Sequence, residues 1–283
     1  METKVSILVY MSTAFKIPEN VKSEFNLQGE GILLEGGSGH AYRFGDVVIK
    51  QVLDTEESKW SSELLNKIPI SSEILIAKPV KAKSGSWVIE NWAATTYIKS
   101  AHIKNNWQDR LNASRKFHAL LKNYAWNVAL RPKRHRFSYA NSIVWGDISF
   151  ENMFNGKIGA YIKQIFSFFK HINCNNQIIH SDLCGNTLFT ENKIPVIIDF
   201  SPAFRPTAYA EAIIVCDGIA WENAPLELID ILNAKDRDQY ILRAINFRLI
   251  VAALNEFNRP GLFKSEVKCF EPILKKLFSG LSS

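Results

Sequence analysis

Short alternations of apolar and polar residues dominate the first third of the chain and predict strands. "GILLEGGSGHAYRFGDVVIKQVLD" joins an apolar stretch, a glycine cluster at Gly36, Gly37 and Gly39, an alternating stretch and the run "VVIK". The "FGD" turn at Gly45, between two β-prone segments, is a hairpin signal. In "DTEESKWSSELLNKI" the period changes: Trp60, Leu64 and Ile68 fall at helical spacing, with Asp54 or Thr55 as N-cap and acids in the first turn. Two further strands are predicted over "ILIAKPVKA" and "SWVIENW", joined by "KSGS", and "VSILVYMSTA" reads as a first strand. From "AATTYI" onward helical spacing takes over. "NWQDRLNASRKFHALLKNY" sets Trp107, Leu111, Ser114, Phe117 and Leu121 on one face, and "FENMFNGKIGAYIKQIFSFFKHI" and "DQYILRAINFRLIVAALNEF" predict further helices. Between them, "QIIH", "TLF" and "PVIIDF" are short apolar strands around polar loops. A β-rich segment followed by a larger helical remainder predicts an α+β chain of two lobes, 1–93 and 94–283, with a cleft between them.

Composition sets outer limits. With 283 residues, 47% hydrophobic and 22% charged, the chain has ample material for a large core. No apolar run approaches the ~18 residues of a membrane span. The net charge of +6 is mild. Its densest basic run, "RPKRHR" (Arg131 to Arg136), is marked as loop by Pro132 and reads either as a patch for an anionic partner or as a solvated connection. No aromatic RNA-binding signature or finger spacing accompanies it, so nucleic acid is not an expected partner. Cys174, Cys184, Cys216 and Cys269 show no C-x-x-C pairing or zinc spacing, which predicts reduced thiols and a cytoplasmic location.

Candidate chemistry lines up in chain order. The glycine turn with Ser38, between two strands, lets backbone N–H groups approach phosphates, although such a turn also serves as a plain hairpin. Lys50, ending "VVIK", can reach the phosphates of a nucleotide under that turn if an acid on the next helix holds it, Glu63 first and Glu57 second. His180-x-Asp182 follows a strand. An Asp at a strand tip can accept the proton of an attacking hydroxyl, while His180 would hydrogen-bond and fix the loop backbone. Asn186 offers a neutral oxygen to Mg²⁺, and Asp199, ending "VIID", offers a carboxylate. Each residue alone could be a turn or cap residue; two apolar strands delivering acids to one side make the set specific. Cys184 has no nearby partner with a defined role as a nucleophile's base.

The order glycine loop, "VVIK", helix Glu, "HSDLCGN", "IDFSP" resembles the aminoglycoside phosphotransferase and choline-kinase-like group, relatives of the protein kinases, and "RKFHALL" resembles that group's "LHAL" helix segment. The likeness spans roughly residues 30 to 225. It implies a bilobal protein-kinase-like fold, ATP with Mg²⁺ as cofactors, and phosphate transfer to a hydroxyl of a small molecule. In that comparison Lys50 matches the phosphate-binding lysine, Asp182 the catalytic base, and Asn186 and Asp199 the metal ligands. "WAATTYI" becomes the hinge, with the backbone of Trp92, Ala93, Ala94 and Thr95 touching adenine. The segment after the metal Asp shapes the acceptor site, which makes Arg205, Glu211 and Asp217 candidate substrate contacts. One departure stands out: three residues, not four, separate Asp182 from Asn186, and Ser181 stands where Gly is common. Shortening a loop by one residue displaces its end by up to ~3.5 Å unless something compensates; Gly185 is the residue that could tighten the turn. The shortened loop also keeps a second reading open, a kinase-fold protein that binds a nucleotide or metabolite without transferring phosphate. A net basic chain without an acidic cluster in its last third gives no support for a polycationic antibiotic as acceptor.

Overall fold

The computed structural model of the chain describes residues 16–34, 41–127, 130, 135–150, 153–154 and 156–279. The strand expected over "VSILVYMSTA" and the glycine turn at Gly36, Gly37, Ser38 and Gly39 lie outside the described residues, as does most of "RPKRHR". The described chain begins with helix α1 (Glu19–Glu24) and strands β1 (Ile32–Leu33), β2 (Ala41–Phe44) and β3 (Val47–Gln51). Helix α2 (Thr55–Lys67) follows, then β4 (Leu75–Ile76), β5 (Pro79–Val80), β6 (Val88–Ile89) and β7 (Trp92–Thr96). Gly45, at φ 56°, turns β2 into β3. "SWVIENW", expected as one strand, is instead a hairpin: Glu90 takes a φ of 56°, so Ile89 folds back to pair with Trp92. The resulting antiparallel sheet runs β1-β2-β3-β7-β5, with β6 on β7. Val21 and Phe25 of α1 and its flanks cover one face, packing with Phe44, Ile49, Trp92 and Ala94. Asp54 caps α2 by accepting the Glu57 N–H at 2.8 Å.

The helical part holds α3 (Trp107–Leu121), α4 (Arg136–Val144), α5 (Gly156–Phe166), the strands β8 (Gln177–His180), β9 (Thr187–Phe189), β10 (Pro195–Ile197) and β11 (Pro202–Arg205), then α6 (Thr207–Trp221), a short 3₁₀ helix, α7 (Arg237–Asn255) and α8 (Leu262–Ser279). The chain thus has a sheet-rich part and a larger helical part, the protein-kinase-like arrangement. Nearly every residue of the middle turns of α6 and α7 is buried, as expected of helices inside a core. Helix α4 went unread because its start lies in the basic run; His135 caps it, its ring Nδ1 accepting the Ser138 N–H. Backbone pairings are among the contacts that tie the parts together. β4 pairs in parallel with β10 although it precedes the end of the first sheet, and Ala101 bridges to Phe189. Arg110, wholly buried on α3, donates to Glu222 at 2.9 Å and to the Ile103 carbonyl at 2.7 Å, pinning the segment between sheet and helices. Among the described residues no helix is long and apolar enough to cross a membrane.

Helix α3 also fixes β8. The buried His118 accepts the His180 backbone N–H on Nε2 at 3.0 Å, so its Nδ1–H points at Ser114 Oγ, 3.2 Å away. Burial pushes the His118 imidazole down to about 3. Above that value it stays neutral in the folded chain, while the unfolded chain binds a proton below about 6.5. Stability therefore falls on acidification from pH 6.5, by up to about 1.4 kcal/mol per pH unit for each such group. His180, lowered by burial, acts in the same sense, and the buried Asp217, raised by burial to about 6, acts against them below that pH. His118→Gln is expected to flatten the acid limb of a stability–pH profile by close to one proton; an unchanged slope would refute a neutral buried imidazole.

A second expectation concerns Gly218. A Cβ built there meets the Trp107 ring at 2.6 Å. Mid-helix Gly→Ala normally stabilises by about 1 kcal/mol, but crowding a buried indole costs about 1–3 kcal/mol. Gly218→Ala should lower the thermal midpoint, and a rise would show that Trp107 moves aside freely.

Candidate active site

Two antiparallel pairs bring the polar loops together. β8 pairs with β11, setting His180 opposite Pro202, and β9 pairs with β10, setting Thr187 opposite Ile197. The loop between β8 and β9 carries Asp182 and Asn186; the turn between β10 and β11 carries Asp199. Backbone bonds lock the two loops: Ile198 N–H donates to the Asn186 carbonyl at 3.1 Å, and Ser181 N–H to the Ser201 carbonyl at 2.9 Å. His180 is the internal tie. Its Nδ1 accepts the Asp182 N–H at 3.1 Å, which leaves Nε2–H to donate to the Ile198 carbonyl at 3.1 Å. Phe117 and Phe200 close on the His180 ring edge-to-face, at 6.3 and 5.5 Å between centroids.

The short "DLCGN" loop closes without special glycine geometry. Asn186 N–H donates to the Leu183 carbonyl at 3.2 Å, the Asn186 side-chain amide to the Asp182 carbonyl at 2.7 Å, and Thr187 Oγ1 to Leu183 at 2.9 Å. Gly185 is not among the glycines at positive φ, and a Cβ there would meet open space. The turn is held by the buried side chains of Leu183 and Cys184, so the compensation assigned to Gly185 is corrected. Cys184 donates to Glu222 at 3.3 Å, and burial pushes its thiol up, which disfavours a thiolate nucleophile.

Asp199 sits at φ 47°, a left-handed conformation that Asp tolerates better than bulkier residues. Its half-exposed carboxylate meets the Lys50 ammonium, which holds it below the usual carboxylate range. Lys50 reaches it from β3, so the first sheet and the β10–β11 turn touch at this ion pair. The helix acids stand elsewhere: Glu63 is exposed on α2 and Glu57 accepts from His135 Nε2 at 3.0 Å. In this structure the lysine's partner is the acid after β10.

The hinge expectation also needs correction. Trp92, Ala93, Ala94 and Thr95 are paired with β3 on one side and with β6 or β5 on the other. Their backbone groups are taken up by the sheet; Tyr97 N–H still donates to the Asp46 carbonyl at 2.7 Å, and the chain leaves the sheet at residues 98–100. The three residues expected at an acceptor are likewise engaged. Arg205 pairs with Asp147. Glu211 takes a two-pronged bond from Arg115, at 3.0 and 2.7 Å. It lines a cavity of about 410 Å³ with Arg115, Arg237 and Tyr240, in which Lys50, Asp182, Asn186 and Asp199 take no part. Asp217 is wholly buried, both oxygens on Arg248. Having no exposed surface, the Asp217 carboxylate offers a substrate nothing to touch, so its expected role is withdrawn.

Sequence reading missed Arg248, which donates from Nη2 to Asp182 Oδ1 at 2.6 Å. It also missed His118, although "RKFHALL" placed that residue on a helix with buried neighbours.

No family model matches the sequence, and no curated protein matches it in sequence. Solved structures match in fold. A thermostable mutant of the aminoglycoside phosphotransferase APH(4)-Ia superposes with a TM-score of 0.64 at 10% identity, over 94% of this chain and 100% of that one. The choline kinase LicA from Streptococcus pneumoniae gives 0.62 at 11%, over 92% and 97%. An aminoglycoside phosphotransferase crystallised with GDP and kanamycin gives 0.54 at 14%, over 93% and 97%. Over almost its whole length, the chain is similar in fold to the aminoglycoside phosphotransferases and choline kinases.

Proposed function

We propose that the chain is an ATP- and Mg²⁺-dependent phosphotransferase that moves the γ-phosphate to a hydroxyl of a small molecule. One observation carries the reading: Asp182 and Asn186 on one loop, and Asp199 with Lys50 upon it on a second, are brought side by side because the two loops are bonded to each other, in a fold whose solved relatives are small-molecule kinases. The donor set suits a hard cation. Asn186 directs its N–H₂ at Asp182, leaving its amide oxygen for a ligand, and Asp199 adds a carboxylate. Among the described residues no group of three or more His, Cys, Asp and Glu gathers in the manner of a closed metal cage. Mg²⁺ takes one or two protein oxygens and completes its shell with phosphate and water. When bound there, the ion would neutralise charge on the phosphates.

The chain's own groups would do the rest. Lys50 would exchange its contact with Asp199 for a phosphate oxygen, a short move for a flexible ammonium on a half-exposed stem. Asp182 would orient the acceptor hydroxyl and take its proton. Residues 98–100, where the backbone is released from the sheet, would read the adenine edge. Positioning and charge neutralisation then supply most of the catalysis.

The acceptor itself is a small molecule with a hydroxyl. Glu211 and Asp217 are bound to arginines, which weighs against a polycation held by those acids. Asp182→Asn is expected to lower turnover by ~10²–10⁴ while nucleotide still raises the thermal midpoint. Asp199→Ala should abolish Mg²⁺-dependent ATP hydrolysis measured without acceptor. Full activity in either variant would remove that residue from its role. Nucleotide binding with no hydrolysis in the parent chain and no transfer to a panel of hydroxyl compounds would favour a binding protein instead.

A further inference from the structure

Buried cations are costly unless they are matched, and one lies directly behind the proposed base. Arg248, only 6% exposed on α7, donates from Nε to Asp217 Oδ1 at 2.9 Å and from Nη2 to Asp182 Oδ1 at 2.6 Å, with Nη2 also on Asp217 Oδ2. Its guanidinium carbon lies 5.1 Å from the Trp221 ring centre and 5.0 Å from that of Phe247. Trp221 in turn donates to Glu266 of α8 at 3.1 Å. The planar fork is therefore clamped by Asp217 and flanked by rings, with the second N–H of Nη2 turned to the loop acid.

Resting on the proposed transfer reaction, we infer that Arg248 is a positioning residue for it. The guanidinium holds Oδ1 of Asp182 while the Asn186 amide approaches Oδ2 at 3.3 Å, so the carboxylate's direction is set from both sides. Asp217 acts one step further back. It fixes the guanidinium plane and balances its charge, so that one cation serves two carboxylates inside the helical core. An ammonium in place of the guanidinium has no planar fork and could satisfy at most part of this arrangement.

The test uses the full chain and ATP with Mg²⁺, without acceptor, alongside the thermal shift given by ATP. Arg248→Ala should lose about 10²-fold in hydrolysis, the scale of a 1 Å misplacement, while its ATP-induced shift persists. Added guanidinium should restore at least a tenfold part of the loss in Arg248→Ala and nothing in Asp182→Asn. Arg248→Lys should fall between parent and Ala. Because the Ala variant leaves Asp217 buried without its partner and could fail to fold, Arg248→Met combined with Asp217→Asn removes cation and anion together; it should fold, bind ATP and remain slow. Parent-like hydrolysis in a folded Arg248 variant overturns the assignment and leaves the transfer reaction standing. Slow hydrolysis that guanidinium does not restore makes Arg248 a packing residue only. If the parent hydrolyses ATP no faster than Asp199→Ala, the transfer reading fails first, and this inference with it.

Discussion

The site depends on one neutral imidazole. His180 accepts a loop N–H on Nδ1 and donates to a strand carbonyl from Nε2, while its own backbone N–H goes to His118. A charged ring would have no acceptor to offer Asp182 N–H, and the loop would be left with its backbone bonds alone to fix Asp182 relative to Asp199. Burial keeps the ring neutral, and His118, kept neutral the same way, holds the strand from behind. The relative placement of two acids from different hairpins thus depends on two imidazoles that bear no charge.

A matching constraint acts on charge. Lys50 and Asp199 face each other across the junction of sheet and helices, partly exposed, where water weakens the attraction. Arg248 and Asp217 meet under cover, where an unpaired ion would be far more costly, and Asp182, about a third exposed, joins them from the loop. The first pair can therefore exchange partners readily, as a phosphate-binding lysine must. The second group is built to stay where it is. The easier exchange at Lys50 and the firmer hold behind the proposed base follow from the burial of Arg248 and Asp217.

How much of this was legible in the sequence depended on how local each feature is. Asp182, Asn186 and Asp199 sit at ends of short apolar strands, and strand ends are marked by pattern, so their meeting could be anticipated. Lys50 was visible for the same reason. The acid facing Lys50 was not, because helix α2 turns Glu63 outward and gives Glu57 to His135, a residue of a basic run that read as loop. Trp92 to Thr95 look like the end of a sheet in sequence; only the hairpin at Glu90 and the return of β5 reveal that both their edges are covered. Arg248 was hidden most deeply. In "AINFRLIVAAL" an arginine among apolar residues gives no sign of its partner, and Asp217 lies 31 positions away.

The same arrangement separates what the fold imposes from what it leaves open. The strand pairings, the two histidines and the closed "DLCGN" turn constrain Asp182, Asn186 and Asp199 whatever the acceptor of the proposed transfer is. Acceptor recognition must come from side chains left outside those networks, and the acids nearest in sequence are not among them, since Arg115 and Arg248 hold Glu211 and Asp217. A polycationic acceptor would have to compete with internal guanidiniums for those carboxylates, one of which is buried beyond reach. An uncharged or weakly charged hydroxyl compound needs no such competition. On physical grounds, then, similarity in fold to aminoglycoside phosphotransferases gives no support for a polycationic acceptor in the proposed transfer.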